Sequence, residues 1–215
     1  MTGDSNWAEG RFVAFEGGEG SGKSTQIRLL AARLQAAGAQ VTVSYEPGAT
    51  VVGQQIRELV LHHAEPLAPR AEALLFAADR AHHVATVVRP ALAAGRWVLT
   101  DRYIDSSLAY QGVGRDLKID EIRSLSAWAT EDLVPDLTVL LDVPAAVGLA
   151  RVGDRGAADK LEAESLDFHE RVRLAFLDLA AAEPPRYAVI DAAQPADAIA
   201  AEVWAAVAGH EGGPR

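Results

Sequence analysis

A glycine-rich octapeptide at residues 17–24, Gly-Gly-Glu-Gly-Ser-Gly-Lys-Ser, constrains the fold of this chain more than any other segment. It follows the apolar run at 12–15 and precedes a segment with helical spacing that begins at Thr25. Glycines allow backbone conformations that are closed to residues with a Cβ, so that successive N–H groups can turn inward around a phosphate. A strand, this loop and a helix in that order predict a phosphate-binding loop, and hence a chain that handles a nucleotide.

The charges of the same segment support this interpretation. Lys23 adds a mobile positive charge, and the helix that starts near Ser24 directs its positive end at the same anion. The hydroxyl of Ser24 is the kind of oxygen that ligates the Mg²⁺ accompanying a nucleotide. The loop therefore predicts both a phosphate site and a metal cofactor.

The composition is that of a globular protein, with 49% hydrophobic and 23% charged residues among 215. We expect one domain at 11–208, with flexible segments at 1–10 and 209–215. The chain has 30 acidic and 20 basic residues, so its net charge is −10. This negative charge disfavours a nucleic-acid partner. The absence of cysteine excludes disulfides and thiolate zinc sites. No run reaches transmembrane length and the start does not resemble a leader, so we expect a cytoplasmic protein with no membrane partner.

Short apolar segments alternate with alanine- and leucine-rich stretches of helical spacing. The predicted strands are 11–16, 40–45, 96–101, 137–143 and 186–191. This alternation predicts an α/β fold, a parallel sheet covered by helices on both faces. Ligands of such folds bind beyond the carboxyl ends of the strands, where four acidic residues fall: Glu16, Glu46, Asp101 and Asp142.

The long helical stretch at 69–94 has one informative asymmetry. Its apolar face consists of Leu74, Ala77, Ala78, Ala81, Ala85, Val88 and Leu92. Phe76, Arg80 and His83 project away from that face, and Phe76 and Arg80 lie one turn apart. The pair can form a clamp for a flat base; alternatively, Phe76 packs against another helix and Arg80 is solvated. The pattern alone leaves both interpretations open.

Residues 151–165 mix arginines with glycines and lack a continuous apolar face. They are interpreted as a mobile cover over the phosphates, with an ordinary exposed helix connection as the alternative.

Five short strings, in order and at the expected spacing, resemble the thymidylate kinase family. They are YEPGAT at 45–50, LLFAADRAHHV at 74–84, DRYIDSSLAYQG at 101–112, PDLTVLLDV at 135–143 and DKLEAESLDFHERVR at 159–173. The resemblance implies a P-loop nucleoside monophosphate kinase-like fold with a five-stranded parallel sheet and a short lid at about 151–165. It also implies a homodimeric enzyme that uses ATP and Mg²⁺ to phosphorylate dTMP to dTDP.

The resemblance assigns the ATP phosphates to the whole loop. The residues are Gly17, Gly18, Glu19, Gly20, Ser21, Gly22, Lys23, Ser24 and Thr25. Ser24 would ligate Mg²⁺, and Asp101 would help to organise the metal and its waters.

For dTMP, the resemblance implies that Phe76 stacks on thymine and that Arg80 hydrogen-bonds the edge of the base. Ser107 and Gln111 match further positions that contact the base.

For the sugar and phosphate, the resemblance implies three further assignments. Glu19 would face the 3′-hydroxyl, and Tyr110 would lie where a ribose 2′-hydroxyl would crowd it. Arg57 and Arg102 match the arginines that hold the acceptor phosphate.

The catalytic residues implied are Lys23, Asp101, Arg102, Arg151 and Arg155. Phosphoryl transfer depends on alignment and positive charge rather than on a strong base. Position 20 is Gly where some family members have Arg, so the cover arginines Arg151 and Arg155 are the expected suppliers of that charge. Tyr45 replaces a family arginine, and Gly153 and Lys160 stand where bacterial relatives often have arginine.

Two other functions remain open from the sequence. A kinase for a nucleoside or another monophosphate could share this architecture, although Arg57 and Arg102 suggest an acceptor that already carries a phosphate. A nucleotide-switched regulator is disfavoured because no Asn-Lys-x-Asp guanine signature occurs.

Overall fold

The structure, a computed structural model, describes residues 9–153 and 160–210. Most of the two end segments predicted to be flexible lies outside the described residues, and so does Arg155. Of the predicted cover at 151–165, the structure describes 151–153 and 160–165.

A five-stranded parallel sheet forms the centre of the molecule, as predicted. Its strands are β1 Phe12–Glu16, β2 Val41–Tyr45, β3 Trp97–Asp101, β4 Leu137–Asp142 and β5 Tyr187–Asp191. Their order across the sheet is β2-β3-β1-β4-β5. Each strand lies within a segment predicted from the sequence. The chain thus crosses over between strands, as a parallel sheet requires.

The register brings the carboxyl ends of the strands to one edge. Asp101 of β3 pairs with Phe15 of β1 and with Tyr45 of β2, and Glu16 pairs with Leu140 of β4. The loops that follow β1, β2 and β3 are therefore neighbours in space, although about thirty to ninety residues separate them in sequence.

Helices cover both faces of the sheet. They are α1 Lys23–Ala36, α2 Val51–Arg57, α3 Pro69–His83, α4 Arg89–Ala93, α5 Ile104–Ser107, α6 Ile119–Thr130, α7 Ala145–Gly153, α8 Leu166–Ala182 and α9 Ala196–Gly209. Tighter and wider turns extend them: π-helical turns at Glu58–His62, Val84–Val88 and Leu108–Gly114, and a 3₁₀ turn at Pro184–Arg186. Within the described ranges, no helix combines the length and the apolarity needed to cross a bilayer.

The alternation along β1 shows how the two cores form. Val13 and Phe15 are buried with residues of α1 and α9 on one face of the sheet. Phe12 and Ala14 are buried on the other face, where the ring of Tyr103 meets Phe12 edge to face at 4.9 Å. Because successive side chains of a strand point to opposite faces, one apolar strand contributes to both cores.

The apolar stripe predicted for 69–94 packs against the protein only in part, since Ala77 and Val88 are buried and Leu92 packs against the cluster around Phe12. Leu74 is 57% exposed, and Ala78 and Ala85 are exposed as well. Phe76 and Arg80 are buried, at 8% and 2% exposure. The interpretation of Arg80 as a solvated side chain is therefore wrong, because buried acceptors compensate for its charge and make its burial possible.

A buried carboxylate links β1 to the segment after β3. Glu16 is fully buried and accepts hydrogen bonds from Tyr103 N at 2.8 Å, Ser106 N at 3.1 Å and Ser106 Oγ at 2.6 Å. Burial, reinforced by the charge of Asp105, raises the pKa of Glu16 to about 7. This carboxyl group positions the turn that carries Arg102.

We expect Glu16 to give the unfolding free energy a distinctive pH dependence. Since the pKa of Glu16 is higher in the folded protein than in the unfolded chain, the folded state binds the extra proton between about pH 4.5 and 7. This group's contribution is therefore present at low pH and declines as pH rises through about 7. Denaturant unfolding at pH 5.5 and 8 will show a smaller decline for Glu16→Gln than for the unsubstituted protein. The exposed Glu131→Gln serves as control, and equal pH dependence in all three proteins would contradict the prediction.

Candidate active site

The phosphate-binding loop between β1 and α1 depends on glycine backbone geometry. Gly22 has φ of 94° and immediately precedes α1, and Gly20 has φ of 65°. These conformations strain any residue that has a Cβ. The loop therefore turns into the helix N-terminus as the sequence predicted.

Lys23 lies folded onto this loop. Its Nζ donates to Gly17 O at 3.1 Å and to Gly18 O at 3.0 Å, and the side chain is 7% exposed. Burial and the neighbouring charge of Arg102 lower the pKa of Lys23. The ammonium group is thus held at the position where the loop would receive a phosphate.

Ser24 and Asp101 meet at the mouth of the loop. Ser24 Oγ donates to Asp101 Oδ2 at 2.8 Å, joining the first turn of α1 to the end of β3. A hydroxyl and a carboxylate are the hard oxygen ligands that Mg²⁺ prefers, and Mg²⁺ usually completes its shell with phosphate oxygens and water. In the described part of the chain, no three acidic or histidine side chains form a metal site by themselves. The pair therefore fits a metal shared with a nucleotide.

Arg102 occupies the junction between this loop and the segment after β3. Its φ is 69°, and its Nη2 donates to Glu19 Oε1 at 2.5 Å. Tyr110 OH donates to the same Glu19 oxygen at 2.8 Å. Burial alone would raise the pKa of Glu19, but the charges of Arg102 and Lys23 prevail and hold it at about 2. Glu19 is therefore an anion that orients Arg102.

Two cavities meet at this junction. The larger, of about 800 Å³, runs along the phosphate loop and α1, and the smaller, of about 280 Å³, lies toward α3. The residues that line both are Glu19, Ser24, Glu46, Arg57, Arg102 and Glu162. The molecule thus offers one continuous site with two compartments.

The smaller cavity collects all eight residues expected to bind the acceptor. They are Glu19, Arg57, Phe76, Arg80, Arg102, Ser107, Tyr110 and Gln111. Chain segments from β1 to the π-helical turn after α5 supply them. The structure brings the eight together, while their individual roles stay predictions.

Arg80 is held rigidly at the back of the smaller cavity. Its Nε donates to Glu46 Oε2 at 2.7 Å and its Nη2 to Tyr103 O at 3.0 Å. Its Nη1 is buried and has no hydrogen-bond partner among the described residues. An unpaired buried N–H donor is costly, so this edge of the cavity is suited to a ligand acceptor.

Glu46 and His83 extend this network, although the sequence analysis assigned neither residue a specific role. His83 Nδ1 lies 2.8 Å from Glu46 Oε1, and His83 Nε2 lies 2.6 Å from Ser44 Oγ. The position of Glu46 at the end of β2 was the signal available in the sequence. The pairing with Arg80 was not visible because 34 residues separate the two.

Arg57 and two cover residues, Arg151 and Lys160, contact different parts of the chain. Arg57 is half-buried between the two cavities and donates from Nη1 to Pro47 O at 2.9 Å. Arg151 donates from Nη1 to Gly20 O at 3.3 Å and to Ala192 O at 3.0 Å. Lys160 Nζ donates to Glu65 O at 2.7 Å. Arg151 therefore contacts the backbone of the phosphate loop, whereas Lys160 contacts the segment that follows the π-helical turn at Glu58–His62.

Comparisons with known proteins agree with this geometry. The family model described as thymidylate kinase matches residues 15–203. A thymidylate kinase of Clavibacter sepedonicus is 59% identical over 197 residues, which cover 91% of this chain and 93% of that protein. One of Deinococcus radiodurans is 53% identical over 205 residues, covering 94% of this chain and 100% of that protein. The solved thymidylate kinase of Ehrlichia chaffeensis is 31% identical, has a TM-score of 0.76, and covers 93% of this chain and 99% of that one.

The chain belongs to the thymidylate kinase family.

Within this family, the structure explains why position 20 holds glycine in this chain. A Cβ at Gly20 would lie 2.0 Å from Gly148 O, and a Cβ at Gly148 would lie 2.1 Å from Glu19 O. The first turns of α7 therefore pack directly against the loop. An arginine could replace Gly20 only if α7 moved. Among residues 17–24, Lys23 is the one basic side chain.

We expect Gly148→Ala to weaken nucleotide binding while leaving the fold intact. The added methyl overlaps Glu19 O and displaces the phosphate loop, an overpacking effect of about 1 to 3 kcal/mol. Titration calorimetry with ATP and Mg²⁺ will show an affinity reduced about tenfold.

Gly153→Ala is the matched control, because among the described residues no atom beyond its chain neighbours and its own helix backbone lies within 4 Å of the added Cβ. Equal ATP affinity in the two variants would contradict the role of the α7 contact.

Proposed function

We infer that this chain transfers the γ-phosphoryl group of ATP to dTMP, giving dTDP and ADP. Membership of the thymidylate kinase family supports the activity. The observation that supports the assignment most directly is the pair of cavities that meet at Glu19 and Arg102. The larger cavity runs along the phosphate loop, and the smaller one is large enough for a base. A two-substrate transfer needs this arrangement, because both reactants must be held together.

On the donor side, the backbone N–H groups of the loop and Lys23 would hold the ATP phosphates. Ser24 and Asp101 would hold Mg²⁺, which when bound neutralises charge on the phosphates. The helix dipole of α1 favours the same anion.

On the acceptor side, the smaller cavity fits a pyrimidine nucleotide. Phe76 would stack on the base, and the free Nη1 of Arg80 would donate to its C4 carbonyl. Ser107 and Gln111 also line this cavity and would complete the pocket around the base. Tyr110, held by Glu19, would lie beside the sugar and disfavour a 2′-hydroxyl.

Arg57 and Arg102 would bind the acceptor phosphate at the junction of the two cavities. Glu19 keeps the guanidinium group of Arg102 oriented, and an incoming phosphate offers that guanidinium group a second anionic partner. The phosphate is ionised at neutral pH, so it attacks the γ-phosphorus without a strong base. Charge that develops on the equatorial oxygens would be stabilised by Lys23 and, from the cover, by Arg151 and Arg155.

An assay of acceptors tests the proposed function. With ATP and Mg²⁺, we expect dTMP to be phosphorylated at least about tenfold more efficiently than dUMP, dCMP, dGMP, AMP or thymidine. The measurement is kcat/KM from ADP release. Preference for thymidine would favour a nucleoside kinase, and ATP binding without transfer to any acceptor would favour a regulator.

We also propose that the chain forms a homodimer through the exposed apolar residues of α3 and α6, which pack side by side. Leu74 on α3 is 57% exposed and Trp128 on α6 is 81% exposed. Large apolar side chains exposed on two neighbouring helices are typical of an interface. The cytoplasmic location expected from the composition stays a prediction.

Leu74→Glu is expected to dissociate this dimer, because it places a charge in the apolar contact. Size-exclusion chromatography with light scattering will give a mass near the 22.8 kDa of one chain instead of twice that value. Leu174→Glu, on the exposed side of α8, is the control and should keep the dimer. A monomeric unsubstituted protein would refute the proposal.

A further inference from the structure

Glu72 is a buried acidic residue that lies behind the smaller cavity without lining it. It is 6% exposed and belongs to α3, one turn before Phe76 and two turns before Arg80. Three residues at i, i+4 and i+8 share one face of a helix. Glu72 therefore lies on the face of α3 that carries the base pocket.

The carboxylate of Glu72 holds the side-chain amide of Gln111. Gln111 Nε2 donates to Glu72 Oε1 at 3.0 Å, and Gln111 is 2% exposed. The same Glu72 oxygen accepts Arg115 Nε at 3.3 Å. An ionised carboxylate only accepts hydrogen bonds, so the NH₂ end of the Gln111 amide must face it.

We propose that Glu72 is a positioning residue that sets base selectivity by keeping the amide oxygen of Gln111 directed at the smaller cavity. The proposal rests on the proposed function and deepens it. Among the residues that line the cavity near Phe76, Arg80 then supplies a guanidinium donor and Gln111 an amide acceptor, Oε1.

This pattern distinguishes the pyrimidines by their hydrogen-bonding edges. Thymine presents a C4 carbonyl acceptor beside an N3–H donor, which complements the donor and the acceptor of the cavity. Cytosine presents a 4-amino donor beside an N3 acceptor, so both contacts would be mismatched. A buried site rejects a ligand that leaves its polar groups unpaired.

The position of Arg115 explains why the arrangement is stable. Its Nη1 donates to Glu164 Oε1 at 2.5 Å, and its guanidinium carbon lies 5.2 Å from the centre of the Phe168 ring. Arg115 does not line the cavity, and from this held position it compensates the buried negative charge of Glu72. Glu72 can then accept the hydrogen bond of Gln111 while Arg115 pairs with its charge.

The test compares dTMP with dCMP as acceptors in three variants. Glu72→Met keeps a similar length but removes the acceptor, so the Gln111 amide is free to rotate. We expect the ratio of kcat/KM for dTMP to that for dCMP to fall about tenfold, mainly through a higher KM for dTMP. Glu72→Gln keeps an acceptor oxygen for both Gln111 and Arg115, and should retain the ratio within about threefold.

Glu164→Gln is the matched control. It alters the other acidic partner of Arg115 but leaves the Gln111 contact, so the base preference should stay within about twofold. If melting curves show that Glu72→Met does not fold, Glu72→Ala replaces it with the same expected loss of preference.

An unchanged ratio in Glu72→Met, or an equal loss of activity toward both nucleotides, would overturn the proposal, because a structural role alone lowers both. A different result would show that the proposed function itself is wrong: the unsubstituted enzyme would show no preference for dTMP over dCMP.

Discussion

The buried carboxyl group of Glu16 is the interaction on which the site depends. It stands at the end of the central strand β1, directly before the phosphate loop, and accepts three hydrogen bonds from Tyr103 and Ser106. These bonds hold the turn in which Arg102 adopts its positive φ. The loop that would bind the donor and the arginine that would bind the acceptor are therefore fixed to one another by Glu16, in addition to the direct contact of Arg102 with Glu19.

Around this anchor the site is assembled from pairs of opposite charges at buried or half-buried positions. Glu19 pairs with Arg102, Glu46 with Arg80 and Glu72 with Arg115. A buried charge is costly unless a partner and hydrogen bonds compensate it. The carboxylates allow guanidinium groups to lie within the protein with fixed orientation, and a fixed orientation is what electrostatic stabilisation of a transferring phosphoryl group requires. They also leave particular N–H groups, such as Nη1 of Arg80, for a ligand.

Much of the fold followed from the sequence, since β1 and the loop after it are determined by local features. The apolar centres of the strands and the glycines at 20 and 22 act through neighbouring atoms, so a short window contains the information. The stripe on α3 shows the limit of this reasoning. Leu74 belongs to the apolar face, yet it is exposed, because the helix packs through the face that carries Phe76 and Arg80. Helical periodicity identifies faces but does not state which one has buried partners.

The sequence by itself determined the order of strands and helices along the chain, the conformation of the phosphate loop and the residue types gathered near the strand ends. Only the tertiary structure decided that Gly148 packs on Gly20, that Glu46 pairs with Arg80 and that Glu72 orients Gln111. The physical reason is distance along the chain. Backbone conformation depends on adjacent residues, whereas the burial and pairing of a charge depend on atoms that folding brings from 30 to 130 residues away.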